Sequence, residues 1–403
     1  MSTEVINPGS ETEEYMRKLS EFQDGLREYQ FEGGISIGSV TEDVSVRTVM
    51  NREISNFDPH APVVLMIGGG FTAPEGMLPI MRELSLIEGR LNIVGVPHTS
   101  NPNVTTRIKG AKSRLYKAAQ DELREVPNAS PDNSVAARVI YGVLSNPNNE
   151  GIKLIEQTDG PLVIVGQSNG CLVGLDLIAF RFKDLESRKA VEEANLEKVG
   201  EDSERIIIQS RIDALNKELS RQVKFVGFNP AGTFDETPGM EEVPIGYETL
   251  HQKSRRIMRN ALIKAAGLAL PRVIHVAYNF TANASRVERP YSDINEYKFF
   301  TKPKVRTDDD KDNPPLSILA MLRTTALDSL SSKIRVINEL YNGYTRCCFE
   351  LDFGEADTVF QSRYFNYSAD NLCLDTVPGK HEASLVREFA PKFAAKIMGA
   401  INK

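Results

Sequence analysis

Five short apolar runs punctuate the chain, and each ends in turn-forming residues. They are APVVLMIGGGF from Ala61, RLNIVGVPH from Arg90, GPLVIVGQSNG from Gly160, QVKFVGFNPAG from Gln222 and TRCCFELDFGEAD from Thr345. Continuous apolar runs of this length, separated by helical patterns, read as parallel strands buried on both faces. Ahead of them ISIGSVTEDVSVRTVM, from Ile35, alternates apolar and polar positions and is rich in β-branched residues, so it predicts a pair of antiparallel strands. The alternation of strands and helices predicts an α/β protein with a mostly parallel central sheet flanked by helices.

Between the strands the period changes. Tyr15, Leu19, Phe22, Leu26 and Tyr29 recur at spacings of three and four, which predicts one amphipathic helix over residues 11–30. Phe182 to Gln222 is dense in Glu, Lys and Arg at helical spacing and reads as a solvated helical hairpin. Residues 248–340 form a second long interruption. It holds a basic amphipathic segment over 255–270 (RRIMRNALIKAAGLAL), an acidic linker DDDKDNPP and a further helix from about Leu316. The chain ends on another amphipathic pattern, VREFAPKFAAKIM from Val386.

Composition narrows the function classes. The sequence has 403 residues, 41% hydrophobic and 26% charged, with a net charge of −7. That excludes a disordered chain, a collagen-like repeat and a disulfide scaffold. The acidic balance argues against a nucleic-acid partner, since phosphate binding needs clustered Lys and Arg. The start, MSTEVINPGSETEE, has no basic stretch followed by an apolar one, and no apolar run approaches the ~20 residues of a membrane span. A cytoplasmic protein is expected. The four cysteines show no CxxC spacing and are expected to be reduced and mostly buried; Cys347 and Cys348, being adjacent in a strand, point to opposite faces.

The chemistry concentrates in Gly166-Gln167-Ser168-Asn169-Gly170. A G-x-S-x-G string is common, and its context is what makes it informative. The apolar run Leu162 to Val165 precedes it and a helical run from Cys171 follows, so Ser168 falls on a strand-to-helix turn. Such a turn needs small residues on both sides of the serine and leaves its hydroxyl beside the positive end of a helix. A serine needs a base, and the base an orienting acid. Of five histidines, His381 lies in a loop (VPGKHEASL) before the last helix. Asp357 lies just past the strand CCFELDF, with Glu355 and Asp352 close by and Asp235 after another strand as a further candidate. His60, His98, His251 and His275 read as structural. No HExxH, paired-carboxylate metal spacing, GxGxxG or GK[ST] pattern appears, so neither a metal nor a nucleotide cofactor is expected.

Strand–GQSNG–helix, an acid after a late strand and a Gly-x-His loop before the last helix resemble the α/β-hydrolase superfamily. Gly68-Gly69-Gly70-Phe71 resembles the HGGGF-type oxyanion loop of its esterases and lipases, with Ile67 in place of the usual histidine. The resemblance implies Ser168 as nucleophile, His381 as general base and then acid, and Asp357 as the group that holds the imidazole. It also implies backbone N–H groups of Asn169 and of Gly69 or Gly70 as the oxyanion hole. Under it the chain divides into an N-terminal helix (1–32), a first core part (33–181), a charged helical insertion (182–222), a core strand and loop (223–247), a helical cap (248–340) and a closing core part (341–403). The expected activity is cleavage of a small-molecule carboxylic ester, thioester or amide through an acyl-enzyme. Acyl transfer to another acceptor and a silent binding or scaffold protein stand as alternatives. The 255–270 segment would roof the site or touch lipid.

Overall fold

The computed structural model describes residues 17–18, 20–69, 74–96, 115, 118–119, 121–123, 131–145, 158, 160–232, 329–342, 347–355, 365, 367–379 and 389–402. Eight strands form one sheet: β1 (Arg27–Ile37), β2 (Val40–Met50), β3 (Val63–Ile67), β4 (Asn92–Val96), β5 (Leu162–Gln167), β6 (Val223–Phe228), β7 (Cys348–Gly354) and β8 (Leu372–Val377). Their order across the sheet is β1-β2-β4-β3-β5-β6-β7-β8. β1 and β2 are the antiparallel pair, closed by a turn in which Gly38 takes φ 56°. β2 runs antiparallel to β4, and every later pairing is parallel.

The central parallel strands β3, β4, β5 and β6 are buried at every position because both faces of the sheet are covered there. On one face Leu65, Ile67, Ile164, Phe225 and Leu351 pack with α2 (Pro131–Ser145), α3 (Asn169–Lys198) and α5 (Leu330–Leu340). On the other, Val64, Met66, Val163, Val165, Val226 and Phe228 pack with α1 (Leu78–Ile87) and α6 (Ala390–Asn402). Alternate residues of one strand thus enter two separate cores. Phe228 meets Phe393 of α6 edge to face, with ring centroids 4.6 Å apart. Lys224, buried at the start of β6, donates to the carbonyls of Ala400 and Ile401 at 2.8 and 2.9 Å and so satisfies the last turn of α6.

Three local readings differ from the structure. The helix expected over 11–30 stops at Gly25, and Arg27 begins β1, so Leu26 and Tyr29 do not share its stripe. Tyr29 and Phe31 stand two residues apart, at the strand period, and eleven residue pairs with β2 form the strand. The boundary expected after residue 181 falls inside a helix. From Asn169, α3 runs on to Lys198 as one 30-residue helix. Its second half and α4 (Asp202–Leu219) form the charged hairpin. Arg181, 1% exposed, ties the base of that hairpin together by donating to Glu218 Oε2 at 2.7 Å.

Residues 330–340, placed in the cap by the sequence pattern, belong to the body instead. Leu330, Ile334 and Ile337 of α5 lie in the main core, and Lys333 meets Asp176 of α3 at 2.5 Å. Of the cap expected over 248–340, residues 248–328, with the 255–270 segment among them, lie outside the described residues. Cys171 and Cys347 are buried free thiols as expected, whereas Cys348, the first residue of β7, and Cys373, in the edge strand β8, are exposed. Among the described residues no helix is long and apolar enough to cross a membrane.

Candidate active site

Ser168 sits at the carboxyl end of β5, in the middle of the sheet, immediately before the first residue of α3. Its backbone has φ 53° and ψ −122°, a conformation that L-residues rarely adopt. Three hydrogen bonds hold it there. The Ser168 N–H donates to the Phe228 carbonyl of β6 at 2.9 Å, and the Ser168 carbonyl accepts from Cys171 N–H at 3.1 Å and Ala231 N–H at 3.2 Å.

The flanking glycines explain why the motif needs small residues. A Cβ on Gly166 would stand 2.6 Å from Cys171 Cα, and one on Gly170 would be 2.5 Å from the Gly68 carbonyl oxygen and overlap that of Ile67. Farther along α3, a Cβ on Gly174 would be 2.9 Å from the Phe225 ring. The turn is therefore pressed against its own helix, against the exit of β3, and against β6. Cys171 fills the space beneath it, fully buried, and burial pushes its thiol well above the ordinary range. It is a packing residue.

Asn169 begins α3 with its side chain buried, and its backbone N–H belongs to the first turn, where amides point out of the helix end. The oxyanion loop reads differently from expectation at one position. Gly69 N–H donates to the side-chain carbonyl Oε1 of Gln167 at 2.9 Å, so this amide is engaged within the protein. Gly68 N–H donates to the Val96 carbonyl of β4 at 3.4 Å. Gly70 lies outside the described residues, as do Asp357, His381 and Asp235.

Of the candidate acids that are described, Asp352 is paired with a lysine on the α6 face. Asp352 is fully buried on the face covered by α6, 3.2 Å from Lys396 Nζ, with Glu350 and Asp375 around the same lysine. Burial pushes its carboxyl up to about 6. Glu355 is exposed, and its N–H closes the end of β7 onto the Val377 carbonyl. A straight register row, Gln167–Phe228–Asp352–Asp375, crosses β5 to β8. Because these strands are parallel, the chain leaves β5, β7 and β8 at one sheet edge. Ser168, the Asp357 segment and the His381 segment follow those three exits in turn.

Sequence reasoning missed two residues of this region. Asn229, at φ 48°, donates its N–H to the Asp352 carbonyl at 2.8 Å and accepts Gly354 N–H on Oδ1 at 2.5 Å, locking the exit of β6 to β7. Its signal was the asparagine itself, a residue that tolerates positive φ, in the turn NPAG. Gln167 left no such signal, since its partner Gly69 is 98 positions away. Among the described residues no three metal-ligating side chains come together.

No protein-family model matches the sequence, and no characterised protein sequence matches it. Solved structures do align along most of the chain. A bromoperoxidase from Bacillus anthracis shows 9% identity over 92% of this chain and 100% of its own, at a TM-score of 0.48. A hydrolase from Pseudomonas aeruginosa shows 11% identity over 92% and 98%, at 0.47, and a peroxisomal α/β-hydrolase from Saccharomyces cerevisiae 11% over 94% and 90%, at 0.47. The chain's own geometry combines an eight-strand order in which β2 alone runs antiparallel to its neighbours with a positive-φ serine between β5 and α3. On that order and that turn, the chain has the α/β-hydrolase fold.

Proposed function

We propose that the protein is a serine hydrolase that cleaves a carboxylic ester, thioester or amide through an acyl-enzyme on Ser168. The observation that carries this reading is the backbone of Ser168. It is held at φ 53° by hydrogen bonds to β6 and to its own helix, between glycines whose Cβ would stand within 2.6 Å of backbone atoms. Rarely populated conformations persist where the surroundings over-determine them, and they cluster at reactive sites.

In the proposed reaction His381 takes the hydroxyl proton as Ser168 Oγ attacks the acyl carbon. The carbonyl oxygen becomes an oxyanion, stabilised by the Asn169 N–H at the start of α3 and by the Gly70 N–H. His381, now an imidazolium oriented by Asp357, returns the proton to the leaving group. Water then attacks the acyl-enzyme by the same route in reverse. The parallel exits of β5, β7 and β8 support this set, since the three segments leave the sheet at one edge. Asp352 is excluded as the acid by its pairing with Lys396 on the α6 face. The test is Ser168→Ala, which should reduce ester turnover by at least about 10⁴-fold and leave the fold intact. Turnover that survives this change overturns the assignment.

A further inference from the structure

We infer that Asn229 is a positioning residue for the nucleophile. It shapes the exit of β6 into a clasp that imposes the rare backbone conformation of Ser168 and ties that conformation to the end of β7. The inference rests on the acyl-enzyme reading above.

The clasp holds the peptide planes on both sides of Ser168 directly. The Phe228 carbonyl accepts the Ser168 N–H at 2.9 Å, and the Ala231 N–H donates to the Ser168 carbonyl at 3.2 Å. With one plane before the serine and one after it both bonded to the same short turn, neither φ nor ψ of Ser168 can relax without breaking a bond. A return to ordinary negative φ would swing its Cβ, and the hydroxyl with it, to a different direction. Two residues bend the chain between Phe228 and Ala231. Asn229 takes φ 48°, and the ring of Pro230 fixes the next φ.

Asn229 is fully buried and is gripped by β7 through its main chain and its side chain. Its N–H donates to the Asp352 carbonyl at 2.8 Å, and its Oδ1 accepts the Gly354 N–H at 2.5 Å. The peptide group between Phe228 and Asn229 therefore bonds Ser168 with its oxygen and Asp352 with its nitrogen, spanning from the β5 exit to β7. Beyond the turn Gly232, at φ 88°, accepts the Leu330 N–H at 3.2 Å and anchors the clasp to α5. Asparagine suits the place because it tolerates positive φ and carries an acceptor. Glycine would keep only the first property, and alanine neither.

The experiment compares the intact protein with Asn229→Ala and Asn229→Gly. Ile140→Val, a core change in α2, is the control for lost stability alone. Each is assayed with a p-nitrophenyl ester for kcat and KM, and with a fluorophosphonate for the rate of labelling at Ser168. Asn229→Ala is expected to lose about 100-fold in kcat and in labelling rate, and Asn229→Gly about 10-fold. KM should stay within about threefold in both, and the control should keep all three quantities within about threefold. A merely structural role would lower stability in every variant and leave kcat and labelling rate per folded molecule unchanged. If Asn229→Ala does not fold, Asn229→Gly carries the test. A folded Asn229 variant that keeps kcat and labelling rate within about threefold overturns the inference and leaves the serine-hydrolase reading standing. Absence of label on the unmodified protein overturns both.

Discussion

Gly170, in the first turn of α3, lies so close under the Ile67 carbonyl at the end of β3 that any side chain on it would overlap that oxygen. The Gly68 carbonyl crowds the same space at 2.5 Å, and both obstacles are backbone, which cannot step aside as a flexible side chain would. Gly170→Ala should therefore destabilise the protein by about 2 kcal/mol or more. Gly399 in α6 is the internal control, since its Cβ would meet nothing within 4 Å. Gly399→Ala should stabilise by about 0.5 to 1 kcal/mol. Denaturant titration of the two variants against the parent measures the difference.

The strained serine gives an expectation of opposite sign for stability and activity. Glycine accepts positive φ without penalty, so Ser168→Gly should raise stability by about 1 kcal/mol while abolishing turnover. Ser168→Ala keeps a Cβ in the same conformation and should leave stability nearly unchanged. Equal unfolding free energies for the glycine and alanine variants would show that the turn stores no strain.

Asp352 makes stability depend on pH in an unusual direction. Its folded-state pKa of about 6 lies above the ordinary 3.8, because burial outweighs the attraction of Lys396, and Glu350 and Asp375 add repulsion. The folded state thus holds the proton more tightly than the unfolded one. The stabilisation is full below about pH 4 and is lost as pH rises through about 6. Asp352→Asn removes the titrating group. The variant should gain on the parent by up to about 3 kcal/mol between pH 4 and pH 7. Unfolding free energies measured across that range test it, and a constant difference would contradict the burial argument.

How much of this was legible beforehand follows from local physics. The runs that became β3, β4, β5 and β6 are buried at every position, so their apolar continuity was visible without any tertiary knowledge. β8 has the sequence LCLDTV, and only Val377 of it is buried; an edge strand need not be apolar, and it carried no such run. The extent of α3 was hidden because charge replaces apolar residues along its second half while nothing breaks the helix before Val199. At the candidate site Ser168 and its glycines were readable as a local motif. The Gln167–Gly69 bond and the sequestration of Asp352 by Lys396 were not, because each joins segments far apart in the chain.

The most direct test of the central claim is covalent labelling of the purified, folded protein with a fluorophosphonate, followed by peptide mapping. An activated serine at the β5–α3 turn should take the label on Ser168, and Ser168→Ala should take none. Folded protein that remains unlabelled, or label that falls on another residue and persists in Ser168→Ala, would contradict the account.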